Sequence, residues 1–205
     1  MSANEAAELV QIPIEQPELE ARIISVGAYL GAAAVGFFFM TFLFAFFYLR
    51  ALNTNGLWAG GKPGHHVHPA LTVGIIVLIC IVGSVALVRV ALVGLRSGRI
   101  PARGAGIAAL MLGLAAIAVQ CWQYTDLGFG PSEGGYASVY LGWTGFFSIV
   151  AFGVLLWLEM LLASSRPGGH VRPGRLEADL ASFSVVWTVL GLVEVVAFIL
   201  LYLVQ

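Results

Sequence analysis

The sequence predicts an all-α fold, a polytopic membrane protein of five transmembrane helices. Three observations predict it. Five apolar stretches, at 23–48, 71–95, 104–122, 138–163 and 183–203, each approach the length a bilayer demands. A helix rises about 1.5 Å per residue, so about 20 apolar residues cross the ~30 Å hydrocarbon core. The 205 residues are 60% hydrophobic and only 10% charged, against about 25% charged in soluble domains. The charges that exist gather in the links. Two regions follow, a polar tail over 1–22 and a transmembrane bundle over 23–205, with no room for a separate soluble domain.

The tail, MSANEAAELVQIPIEQPELEAR, is acidic and carries Pro13 and Pro17. It lacks the basic start and short apolar run of a secretory leader, so the first span is expected to act as its own insertion signal. That span places Gly27 with Gly31, and Ala32 with Gly36, at four-residue spacing. Small residues so spaced let a neighbouring backbone approach, which is how helices associate where water cannot drive them together. The run FFFMTFLFAFFYLR follows, and its Phe37 and Phe38 read as a wall against lipid. The second and third spans are joined by LRSGRIPARG, with Arg96, Arg99 and Arg103. The fourth span reads YLGWTGFF near its start. Trp122, Tyr124, Tyr136, Tyr140, Trp143 and Tyr202 fall near one boundary, as an aromatic belt does.

Arg22, Arg89, Arg96, Arg99, Arg103, Arg166, Arg172 and Arg175 lie on one side of five alternating helices, and only Arg50 and Lys62 on the other. The positive-inside bias then puts the N-terminus in the cytoplasm and the C-terminus outside. A net charge of −1 offers nucleic acid no basic face.

The inventory for chemistry is short. A haem or copper centre inside a bundle needs His, Cys or Met ligands at membrane depth. His65, His66, His68 and His170 all lie in links. His66 and His68, in GKPGHHVHP, are weak metal candidates without a fourth ligand. Cys80 and Cys121 sit within apolar stretches and read as small core residues. No phosphate loop, metalloprotease motif or nucleophile elbow is present. Ionisable residues within spans are functional suspects by default, each costing roughly 3 kcal/mol or more at the bilayer centre. Arg89 and Glu159 match in depth and invite an ion pair. Glu194 lies near the middle of the last span, and a bond to a neighbouring helix or a role in proton transfer are its two readings. Gln120 and Gln123 are expected to bond between helices.

Several motifs resemble the third subunit of haem–copper (cytochrome c type) oxidases in its five-helix bacterial form. QCWQYTDL is similar to the family's Q-x-x-E-Y signature at Gln120 and Tyr124. YASVYLGWTGFFSIV is similar to its G-S-x-F-Y-x-x-T-G-F-H-G-x-H-V segment at Ser138, Thr144, Gly145 and Phe146. The last span matches its closing segment at Trp187, Val193, Phe198 and Tyr202. The first span's FFFMTFLFAFFYLR is similar to M-F-F-x-x-L-F-x-x-Y. The family's buried first-span Glu is missing, its H-G-x-H pair is replaced by Phe147 and Val150, Gln123 stands for a Glu, and Glu194 stands where Trp is common.

The resemblance implies an accessory subunit of an aerobic respiratory oxidase in a bacterial plasma membrane. It implies no redox centre in this chain, with haem and copper in a partner, catalytic subunit I. It implies phospholipid held in a cleft that separates the first two spans from the rest, with Arg96, Arg99 and Arg103 near lipid phosphates. Alternatives are an accessory subunit of a nitric oxide reductase or other respiratory complex, and a small membrane transporter.

Overall fold

The computed structural model describes residues 17–53, 56, 58, 68–97, 102–165 and 173–204. Five helices run in order: α1 (Pro17–Ala51), α2 (Leu71–Ser97), α3 (Ala102–Thr125), α4 (Gly135–Ser164) and α5 (Pro173–Phe198), the last continuing as a π-helical turn over Ile199–Val204. All five are long and apolar enough to cross a membrane, the shortest having 24 residues. No strand occurs among the described residues.

Each helix forms where the apolar run allows, and each stops at a recognisable signal. Pro17 opens α1, where its fixed φ suits the first helical turn and its missing N–H costs nothing. The helix thus begins inside the stretch expected to be a polar tail, and 17–22 belong to it. The α3–α4 link turns on Gly128 and Gly134, whose φ of 65° and 130° lie where a Cβ is strained. Ser138 Oγ then donates to Pro131 O and to Gly134 O, tying the first turn of α4 to the link.

The order in space departs from the order in sequence. α2 packs most extensively on α3, and α5 touches α1, α2 and α4. α1 lies against α4 and α5. Half of the span window of α5 is buried, against 17% for α1. α5 is therefore the central helix and α1 a peripheral one. This corrects the expected cleft between the first two spans and the rest: α2 packs on α3 and α5, and α1 on α5 and α4.

The core is aromatic. Trp143, Trp187, Tyr136, Tyr140, Phe46 and Phe183 are its largest fully buried side chains. Three of them belong to the set expected to form an outward belt. Of that set, Trp122 faces outward, while Tyr136, Tyr140 and Trp143 point inward. The hydroxyls of Tyr136 and Tyr140 find partners on neighbouring helices, and that pull overrides the boundary preference of an isolated ring.

The close helix approaches use glycines other than those expected. Among the described residues, nothing comes within 4 Å of a methyl group placed on Gly27 or Gly31. Gly36 meets Val189 at 4.0 Å. Gly74 backs onto the ring of Tyr202, and Gly113 onto Leu155 and Trp187. Gly27 and Gly31 thus lie on an open face of the described chain, while Ala32 is buried with Val186 of α5.

Arg96 Nε donates to Glu177 Oε1 at 2.9 Å and ties α2 to α5, but both side chains are largely exposed. Such pairs contribute at most about 1 kcal/mol. Arg96→Ala is expected to shift the unfolding midpoint in detergent within that limit, as circular dichroism would show.

Candidate functional site

Two features at membrane depth stand out: an apolar groove on α1 and a polar network inside an otherwise greasy core.

The groove runs between α1 and α5, with a volume of about 380 Å³. Ala33, Gly36, Phe37 and Met40 form one wall; Val189, Val193 and Val196 form the other. Trp143 of α4 lies at its floor. Gly36 keeps the two helices close without filling the space. The Trp143 indole N–H is buried without an acceptor among the described residues. Phe37 is 77% exposed at its mouth. Phe38 turns away, edge-on to Phe146 at 5.5 Å.

The network joins α3, α4 and α5. Two sequence spacings build it. Gln120, Gln123 and Tyr124 stand three and four residues apart on one face of α3, and Tyr140, Thr144 and Ser148 stand four apart on the facing side of α4. Gln120 Nε2 donates to the Tyr140 hydroxyl at 3.4 Å, and that hydroxyl donates to Gln123 Oε1 at 3.0 Å. The hydroxyls of Tyr140 and Tyr202 are 3.0 Å apart. Tyr202 donates to Gln123 Oε1 at 3.3 Å. Tyr124 donates to Thr144 Oγ1 at 2.8 Å. Gln123 Nε2 reaches the Ala70 carbonyl, just before α2, at 3.5 Å. Tyr136 donates to the Leu201 carbonyl, satisfying a backbone group the π-helical turn leaves over. A second, smaller bridge lies deeper: Trp187 Nε1 donates to Ser84 Oγ at 3.1 Å, and Ser84 Oγ to the Ala109 carbonyl at 2.7 Å.

The bonding expected of Gln120 and Gln123 is present. Glu194 is only 7% exposed. It faces a cavity of about 10 Å³ lined by Gln120, Thr144, Ser148, Phe147 and Val77 among others. The expected Arg89–Glu159 pair does not form. Arg89 Nη2 instead donates to Thr188 Oγ1 on α5 at 3.0 Å, and Glu159 is exposed on α4. α2 packs on α3 and α5, so its arginine meets the helix it touches.

Arg103 is exposed at the start of α3, while Arg99 lies outside the described residues. His66 also lies outside them, and His68 is exposed. Among the described residues, no three His, Cys, Asp or Glu side chains gather as a metal site would need.

The sequence is 35% identical over 99 residues to a cytochrome c oxidase subunit 3 from Synechocystis sp.. The matched stretch is 48% of this chain and 41% of that protein. The chain therefore spans less than half the length of the curated relative it matches. No family model matches the sequence. The match supports a distant relationship to this oxidase subunit. Five helices able to span a membrane agree with it.

Residues that sequence reasoning did not single out as sites include Ser148, Tyr140, Ser84 and Trp143. The four-residue repeat of Tyr140, Thr144 and Ser148 carried the signal for two of them. Ser84 and Trp143 carried none, because a lone serine or tryptophan in an apolar run does not reveal which helix it will meet.

Proposed function

We propose that this chain is an accessory subunit, of the third-subunit type, of a haem–copper terminal oxidase in a bacterial plasma membrane. It seats on the catalytic subunit, stabilises it and holds phospholipid, with haem and copper carried by the partner. Its N-terminus lies in the cytoplasm. The observation that carries this reading is the 35% match to a subunit 3.

The groove between α1 and α5 supports the lipid part. Its lining is almost wholly apolar, and a flexible acyl chain fits a long open slot without leaving polar groups unpaired. The open face at Gly27 and Gly31 suits a partner helix, since small residues admit a close backbone.

Removing this chain from its host tests the reading. The haem spectrum of the oxidase should remain, while activity should decay sooner under continuous turnover. Loss of the haem signal with the other subunits present overturns it, as does isolation with a nitric oxide reductase or as a colourless particle that moves ions into liposomes. Gly36→Trp places a ring in the groove. It should reduce the phospholipid retained in native mass spectra of the purified complex, and unchanged retention removes the lipid assignment.

A further inference from the structure

We infer that Glu194 exchanges its carboxyl proton with the aqueous phase from one end of the bundle only, through a single water held in the cavity beside it. This goes beyond the accessory-subunit reading and does not depend on it.

The cavity has the size and lining of a one-water site. Its volume is about 10 Å³, close to the least that holds a water. Four of its lining residues carry side-chain polar atoms: Gln120, Thr144, Ser148 and Glu194. Their hydrogen-bonding capacity is not used up. Ser148 Oγ spends its hydrogen on the Thr144 carbonyl at 2.9 Å, leaving lone pairs to accept. Gln120 Nε2 gives one hydrogen to Tyr140 and also interacts with Tyr124, leaving its Oε1 to accept. A water there makes three bonds, the usual number for a buried one, and connects Glu194 to the rest of the network.

From this cavity the polar path leads one way. Thr144 and Tyr124 lead outward along α4 and α3, and Gln120 reaches Tyr140, Gln123 and Tyr202 near the end that carries the α3–α4 link. In the other direction lies a packed layer, whose polar bridge from Trp187 Nε1 to Ser84 Oγ ends on the Ala109 carbonyl. Ile81, Leu155, Trp187 and Leu190 are all at most 1% exposed. Leu155 of α4 and Trp187 of α5 close on Gly113 of α3. The titratable groups around the network are phenols: Tyr124 from α3, Tyr136 and Tyr140 from α4, and Tyr202 from α5 itself. Arg89, from α2, is turned to Thr188, six residues or about 9 Å along α5 from Glu194.

The exchange conserves charge and protons. The carboxyl gives its hydrogen to the water as the water returns one of its own; the water then trades hydrogens with the Thr144 hydroxyl, which must turn from the Tyr140 carbonyl it bonds at 2.7 Å, and Thr144 trades with Tyr124, the hydroxyl that donates to it.

Infrared spectroscopy of the purified full-length protein in D2O tests this. The Glu194 carbonyl band is the one lost in Glu194→Gln, and in the unmodified protein it should shift as deuterium enters. Ser148→Val fills the cavity, and Tyr124→Phe breaks the path toward the α3–α4 end. Each should slow the shift about tenfold or more, roughly the loss of one good hydrogen bond. Thr188→Val, at the level of the packed layer and off the path toward the α3–α4 link, should leave the rate unchanged. Three results overturn the proposal: no band lost in Glu194→Gln, a rate indifferent to both Ser148→Val and Tyr124→Phe, or a rate slowed equally by Thr188→Val.

Discussion

Trp187→Ala is expected to be the most destabilising single truncation in the bundle, by about 3–5 kcal/mol. The indole is fully buried on the central helix. It stacks on Phe183 with centroids 5.9 Å apart, fills the space beside Gly113, and donates to Ser84. Truncation empties a ring-sized volume and leaves Ser84 Oγ without its donor. Lipid cannot enter a site enclosed by α2, α3, α4 and α5, so the cavity persists. Trp187→Phe keeps most of the packing and should cost only about 1 kcal/mol for the lost bond, beyond a small volume change. Unfolding in mixed detergent micelles, followed by circular dichroism, separates the two. Equal effects of both substitutions would show that the hydrogen bond, and not the packing, holds the helices.

The second large effect is expected at Gly74. A methyl group there lies 2.6 Å from the Tyr202 ring, well inside contact distance. The ring cannot move aside cheaply. Its hydroxyl is bonded to Gln123 and lies 3.0 Å from that of Tyr140, and its face stacks on Phe198 with centroids 5.4 Å apart. Gly74→Val should therefore cost about 1–3 kcal/mol through overpacking. It should also loosen α2 from the last turn of α5. Combining it with Tyr202→Leu should cost less than the sum of the two single changes, because both act on one contact. Strict additivity would mean that α2 and the π-helical turn are not pressed together there.

Much of this architecture was legible before any coordinates. Apolar length alone placed five helices, since a membrane span has a fixed minimum and this chain has few charges to blur its edges. Polar residues in such a run are also informative, and Gln120, Gln123 and Glu194 do lie inside. What the sequence did not carry was adjacency. Gly27 and Gly31 have the spacing of a packing stripe, and so a pairing motif was expected of them, yet Gly74 and Gly113, each with only an alanine at four, make the close approaches. Arg89 and Glu159 match in depth, but depth fixes only one coordinate. Which helix lies beside which is set by the whole packing, and the α2–α3 pairing took Arg89 toward α5. Tyr136, Tyr140 and Trp143 show the same limit: nearness to a boundary was readable, whereas the direction each ring faces was not.

The peripheral place of α1 has a consequence for biosynthesis. Its contacts are with α4 and α5, and roughly 120 residues separate its end from the start of α5. At about 5–20 residues per second, translation leaves α1 in the bilayer for on the order of ten seconds before its last neighbour emerges from the ribosome. During that wait both its phenylalanine-rich wall and its glycine face are bare. An insertase or an assembly factor has that interval in which to shield the newborn helix, and a subunit already in place has the same chance to claim it.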